Sequence, residues 1–244
     1  VIGRKREFFV QQLIKNLLNS SLKPKFHFNC INKLSFGGTM TEEKKGLITS
    51  SHYGPFQFVK VEEAFDSNGK KVELEKVASI CRCGKSKYKP NCDGSHCNEA
   101  FANEKDDDRI SDKVKDYVGE NIVIHDNRGI CCHDGSCTKF LPEVFKMDER
   151  PWIDPDGASP GKIIEVIQKC PSGALSFTLG AKRYKEFGQK TEKVIFIEEG
   201  PIQVEGGIKF VDYAGSAPEC SEHYTLCRCS KSKNKPFCDG SHDE

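Results

Sequence analysis

The sequence predicts an α+β chain made of three small units rather than one large domain. Three observations point there. A cysteine-bearing window occurs twice, apolar residues are scarce, and an unrelated stretch of helix and strand signals separates the two copies. Of 244 residues, 36% are hydrophobic and 30% are charged, so a single core for the whole length would be thin. Several small cores suit such a composition better.

Residues 1–45 hold nine Lys/Arg and three Asp/Glu, a net of +6 (9 − 3). The whole chain carries +1, which leaves −5 (1 − 6) for the remainder. Val10, Leu13, Ile14, Leu17 and Leu18 share one helical face, opposite Gln11, Gln12, Lys15 and Asn16. This predicts a basic arm over residues 1–50 with an amphipathic helix at 8–18. A helix so short needs a surface on which to bury its apolar stripe. Its Lys-rich, acid-poor composition resembles an organellar presequence. The expected partner is a larger mitochondrial (or related organellar) complex held through the arm. A membrane surface is the alternative holder and the cytoplasm the alternative compartment. No apolar run reaches the roughly 18 residues of a membrane span. A net charge of +1 argues against a nucleic-acid partner.

Residues 54–80 and 200–226 each open with Gly-Pro and alternate strand-like segments with turn residues. Each then runs into a cysteine window: CRCGKSKYKPNCDGSH at 81–96 and CRCSKSKNKPFCDGSH at 227–242. Thirteen of the sixteen positions are identical, at an offset of 146. The chain has 13 Cys, and an odd count in close pairs argues against a disulfide framework. Two Cys one residue apart are poorly placed to bridge each other and well placed to hold one metal atom. Thiolates plus an imidazole suit iron–sulfur clusters or zinc. A Cys-x-Cys pair is tighter than the usual zinc knuckle. It fits two sulfurs on one iron, with the third Cys and the His on a second. Lys89-Pro90 and Lys235-Pro236 constrain the approach to the third Cys. Asp93-Gly94 and Asp239-Gly240 supply a tight turn, with Asp accepting backbone N–H bonds.

Cys92-Asp93-Gly94-Ser95-His96 and Cys238-Asp239-Gly240-Ser241-His242 resemble the CDGSH iron–sulfur domain family, the mitoNEET-like proteins. The resemblance implies a [2Fe–2S] cluster at each window. Its ligands would be Cys81, Cys83, Cys92 and His96 in the first copy, and Cys227, Cys229, Cys238 and His242 in the second. It also implies two small β-rich halves, expected at 51–103 and 198–244. These would form an internal pseudo-dimer around or beside the middle unit.

The middle unit is expected at 117–180, between charged linkers at 104–116 and 181–197. The first linker has a helix signal from Asp108. Within the unit, Asn121–Ile124 reads as a strand, Lys162–Lys169 as a helix started by Ser159-Pro160, and Ala174–Phe177 as a closing strand. Cys131 and Cys137 are six apart, and Cys170 is followed by Pro171. Together with Pro142-Glu143-Val144-Phe145, Arg150-Pro151-Trp152-Ile153 and Ser172-Gly173-Ala174-Leu175, they resemble the divergent mono-cluster ferredoxin family. The resemblance implies one [4Fe–4S] or [3Fe–4S] cluster on Cys131, Cys137 and Cys170. Asp134 stands where an ordinary ferredoxin has its middle Cys. His133 is the favoured fourth ligand, and Asp134 or water the alternatives.

Cys30, Cys97, Cys132 and Cys220 fall outside these patterns and read as small apolar residues. His27, His52, His125 and His223 read as surface or packing residues, and Trp152 as packing beside the central cluster. The lysines within each window (Lys85, Lys87 and Lys89; Lys231, Lys233 and Lys235) read as a docking patch or as an offset to cluster charge. No nucleophile–base pair or phosphate loop is visible, so the chain is not expected to be an enzyme. The expected function is electron carriage, or a cluster-bearing accessory role in a larger complex. The alternatives are cluster storage, transfer or redox/pH sensing, and a structural subunit stabilised by its clusters.

Overall fold

The computed structural model describes residues 46–98, 101–188 and 191–243. The helix expected at 8–18, with His27 and Cys30, lies outside them. Twelve short strands dominate the described residues, in a β-rich α+β architecture. They are β1 Leu47–Ser50, β2 Phe56–Val59, β3 Ala64–Asp66, β4 Val77–Ile80, β5 Val114–Val118 and β6 Val123–Asn127. There follow β7 Leu175–Leu179, β8 Lys182–Tyr184, β9 Lys193–Phe196, β10 Ile202–Glu205, β11 Lys209–Val211 and β12 Tyr224–Leu226. No helix among the described residues is long and apolar enough to cross a membrane.

Three four-stranded sheets form, in the orders β11-β1-β2-β4, β12-β10-β9-β3 and β5-β6-β7-β8. The first two follow the sequence repeat: β9 and β10 lie 146 residues after β1 and β2. Each of these sheets takes three strands from its own half and borrows the fourth. β11 joins β1 in parallel, with Ile48 opposite Phe210. β3 joins β9 in parallel, with Phe65 opposite Ile195. Residues pointing to one face alternate along a strand, and Phe56, Phe58, Ile202 and Val204 point inward. One apolar core runs through both halves, taking Ile48, Phe56, Phe58 and Ile80 from one and Val194, Phe196, Ile202 and Tyr224 from the other. Phe58 stacks on Phe196 across the sheets at 6.2 Å.

The structure moves three expected boundaries. Leu47–Ser50, grouped with the arm, is a buried strand. Lys193–Phe196, assigned to the second linker, is β9. Lys182–Tyr184, from the same linker, is β8 of the middle sheet. Runs of three or four residues carry too little pattern to announce themselves; their partners across the sheet define them. The helix signal from Asp108 also gives way, because Val114–Val118 pairs with β6.

The middle unit has its own core of Ile122, Ile124, Val144, Phe145, Ile153, Ile163, Ile167 and Phe177. Its helix runs Pro160–Ile167, two residues ahead of expectation, with Pro in the first turn and Ile163, Val166 and Ile167 buried. His125 is a satisfied packing residue, with Nδ1 2.7 Å from Asp116 Oδ1 and Nε2 2.7 Å from Thr178 Oγ1.

The shared core predicts cooperative unfolding of the two repeat-bearing halves. Phe58→Ala is expected to cost about 3–5 kcal/mol and to shift the loss of both halves together. Denaturant melts followed by probes in each half check this, and two separate transitions would contradict it.

Candidate metal centres

Each repeated window is a loop returning along the strand that delivers it. β4 ends at Ile80, and Cys81 N donates to Pro90 O (2.8 Å) while Cys92 N donates to Ser79 O (2.8 Å). The second copy does the same after β12, through Cys227 N to Pro236 O (2.9 Å) and Cys238 N to Thr225 O (3.1 Å). The identical residues of the repeat make matching bonds. Asp93 accepts from Lys87 N (2.9 Å), Ser95 N (3.0 Å) and Ser95 Oγ (2.7 Å). Asp239 accepts from Lys233 N (2.8 Å), Ser241 N (3.1 Å) and Ser241 Oγ (2.7 Å). The bond from Lys87 N leads the effects that hold the Asp93 carboxyl down to about 2. Ser86 Oγ donates to Asn91 O (2.6 Å), and Ser232 Oγ to Phe237 O (2.7 Å). Gly94 and Gly240 sit at φ 84° and 91°, a left-handed turn that suits glycine.

The expected ligands come together in pairs. Cys81 Sγ lies 3.7 Å from Cys83 Sγ, and Cys92 Sγ lies 3.4 Å from His96 Nδ1. In the second copy Cys227 and Cys229 are 3.7 Å apart, and Cys238 and His242 Nδ1 3.4 Å. Two thiolates on one tetrahedral metal, each bond about 2.3 Å, sit about 3.8 Å apart. A thiolate and an imidazole nitrogen sit about 3.6 Å apart on the same reasoning. Among the described residues, no three donors gather closely enough to hold a single ion. The pairwise spacings match those of two donors sharing one metal atom. Burial comes first among the effects that push the Cys83 thiol up, and it takes Cys238 to about 12. Within the second pair, the Cys227 hydrogen bond holds the Cys229 thiol down. Buried thiolates need a nearby positive charge, which coordinated iron would supply.

The two loops touch. Cys83 and Cys229 pair as an antiparallel bridge. A Cβ on Gly84 would meet Cys229 O at 3.0 Å. Arg82 and Arg228 brace the loops from behind, through Nε to Gly54 O (2.5 Å) and to Gly200 O (3.1 Å).

The middle unit brings Cys131, Cys137 and Cys170 to one cavity, together with Cys132, His133 and Asp134. Burial pushes the Cys131 thiol to about 11 and the Cys137 thiol to about 12, and the neighbouring cysteines add to both. His133 reaches that cavity but also faces the second loop. A Cβ on Gly240 would lie 2.3 Å from His133 Nδ1. After burial and Arg128, the charges acting on His133 are Asp243, Asp239 and His242. Cys132 is buried at 3% exposure. Burial leads the effects pushing its thiol well up, followed by Cys170 and Cys238, one from each site. That burial fits its reading as a small apolar residue, while no sequence signal announced Cys170 and Cys238 as neighbours acting on it. Arg128 carried no signal either, yet its Nη1 donates to Cys131 Sγ at 3.5 Å and its guanidinium lies 4.6 Å over the Trp152 ring. Trp152 packs there as expected, donating from Nε1 to Asp126 Oδ2 (3.2 Å).

The central loop thus docks on the second window. Asn234 Nδ2 donates to Gly129 O (2.6 Å) and Asp112 Oδ1 (3.0 Å). Lys233 Nζ pairs with Asp108 at 2.7 Å. The segment read as a solvated linker is part of this seat. Of the cysteines set aside, Cys132 and Cys220 are buried, whereas Cys97 is exposed.

A family model described as an iron-binding zinc finger of CDGSH type matches residues 53–97 and 199–243. One described as a divergent 4Fe-4S mono-cluster matches residues 117–180. "Uncharacterized protein YjdI" of Escherichia coli K12 is 39% identical over 61 residues, covering 25% of this chain and 80% of that protein. The protein of the same name from Escherichia coli O157:H7 matches to the same extent. No solved structure matches the chain.

Gly94 and Gly240 make a matched pair of tests. Both need a left-handed turn, so Ala at either costs about 1 kcal/mol. At Gly94 the added methyl meets open space, but at Gly240 it meets the His133 ring. Gly240→Ala is therefore expected to lower the melting temperature more than Gly94→Ala and to perturb the central site. Equal shifts would count against the seat.

Proposed function

We propose that this chain, which belongs to the CDGSH-type iron-binding proteins and carries a divergent 4Fe-4S mono-cluster domain between its two CDGSH segments, is an electron carrier or cluster-bearing accessory subunit rather than an enzyme. One observation carries the reading. Three ligand sets follow one another in contact, the central loop against the second window and the second window against the first.

Cys81, Cys83, Cys92 and His96 would hold one [2Fe–2S] cluster, and Cys227, Cys229, Cys238 and His242 another. Their pairwise donor spacing supports that nuclearity. Cys131, Cys137 and Cys170 would hold a [4Fe–4S] or [3Fe–4S] cluster. The fourth corner falls to His133, Asp134 or water. When bound, such clusters take up and release single electrons at potentials set by ligands, hydrogen bonds and burial. The chain's own residues orient the ligands through the Asp93 and Asp239 turns. They exclude water at Cys81, Cys227 and Cys238, and Arg128 places a donor on Cys131 Sγ. The exchange of β3 and β11 supports reading the two halves as an internal pseudo-dimer. The mitochondrial setting and the partner complex rest on the composition of residues 1–45 alone.

A second reading has its own observation. Cys92 and His96 of the first window are only partly buried, which favours cluster storage and transfer. Handover of iron and sulfide to an apo-acceptor would favour it over carriage, and reversible reduction without loss of iron would favour carriage.

Metal and sulfide analysis with electron paramagnetic resonance tests the assignment. About eight iron atoms per chain are expected, or about seven with a three-iron centre. Stoichiometric zinc without visible absorption would overturn it. His242→Cys is expected to keep its cluster and lower its potential, since thiolate donates more charge than imidazole. An unchanged spectrum and potential would remove His242 from the ligand set.

A further inference from the structure

The repeat makes the two windows equivalent in sequence, but the structure does not treat them alike. In the second, Asn234, Lys235, Phe237 and Cys238 are buried, at 1%, 7%, 4% and 2% exposure. Their counterparts Tyr88, Lys89 and Asn91 are exposed, Tyr88 at 72%, and Cys92 is partly so. The difference is the middle unit, which covers only one of the two faces. It does so through an acid-rich segment: Asp106 N bonds Lys233 O (2.8 Å), Asp108 pairs with Lys233, and Asp112 accepts from Asn234. His133 fills the space over Gly240, whereas a Cβ on Gly94 would have nothing within 4 Å.

We infer that the face of the first window left bare among the described residues, around Lys87, Tyr88, Lys89 and Gly94, is a docking surface for an acidic electron-transfer protein. The argument for that occupant lies in the covered copy. There the same backbone and the lysine equivalent to Lys87 receive an aspartate-rich segment whose unit carries its own cysteine cavity. Lys87 and Lys89 offer that charge in the first copy. Tyr88 adds a large half-apolar ring of the kind that anchors interfaces. Cys92 and His96, in the same loop, are partly buried, whereas Cys238 of the covered copy is fully buried. Opposite charge on such a rim chiefly sets the rate and salt dependence of encounter. A shallow contact of this kind suits brief docking, as weak redox encounters do.

The role of the docked protein rests on the electron-carrier reading, but the contact itself does not. The test uses the full-length, cluster-loaded chain and a ferredoxin of strongly acidic pI as probe. Calorimetry at low and high salt is combined with zero-length carbodiimide cross-linking and peptide mapping. Saturable one-to-one binding that weakens with salt is expected, with cross-links at Lys87 or Lys89. Lys87→Glu with Lys89→Glu should weaken binding at least ten-fold, and Lys87→Arg with Lys89→Arg should retain it. Four outcomes would overturn the inference: no low-salt binding, cross-links on another face, self-association through this face, or binding that appears only after removal of residues 1–45. The last would mean that the chain's own segment covers the face. Binding by a chain that cannot be reversibly reduced would instead refute the carrier reading and leave the docking surface standing.

Discussion

The exchange of β3 and β11 between two small sheets is the constraint on which the rest depends. Units of about 60 residues bury too little surface to be robust alone. Here each half completes its sheet with a strand from the other, and Phe58, Phe196, Ile202 and Tyr224 close over one core. That arrangement leaves the two cysteine loops side by side, with Cys83 paired to Cys229. Placement of the candidate ligands thus follows from sheet pairing and not from the loops alone.

Within each loop the chemistry is local and therefore legible. The Asp-Gly turn read from the sequence reappears as bonds in both copies, and the Cys and His of each window come together in pairs 3.4–3.7 Å apart. Asp93 and Asp239 make the same three contacts within about 0.1 Å of each other. The helix Pro160–Ile167 was also legible, because Pro at its start and the spacing of Ile163, Val166 and Ile167 are helical signals. What could not be read were features set by distant partners. Leu47–Ser50 and Lys193–Phe196 are too short to show a period and exist because neighbouring strands pair with them. Residues 104–113 look like a charged connector until Asp108 meets Lys233, 125 positions away. Cys132 reads as a small apolar residue and is buried as one, at 3% exposure.

Docking of the middle unit breaks the symmetry of the repeat. One turn glycine, Gly240, lies beneath the His133 ring, and its twin Gly94 faces open space. Burial then differs between candidate ligand sets of the same composition. Cys238 is at 2% exposure while Cys92 remains partly open. Burial and hydrogen bonding tune the potential of an iron–sulfur site, so two nearly identical motifs are not expected to behave identically. A duplicated sequence acquires two environments without any change in its ligands.

The central claim is that, among the described residues, the candidate ligand set of the middle unit abuts the second window and not the first. Electron paramagnetic resonance of the fully reduced, full-length chain tests it most directly. Mutual splitting of the signals from the central and second sites is expected. It should vanish when Cys137→Ala removes the central one, leaving the line shape of the first site unchanged. Three signals that simply add, with no change in any when the central site is deleted, would contradict the arrangement.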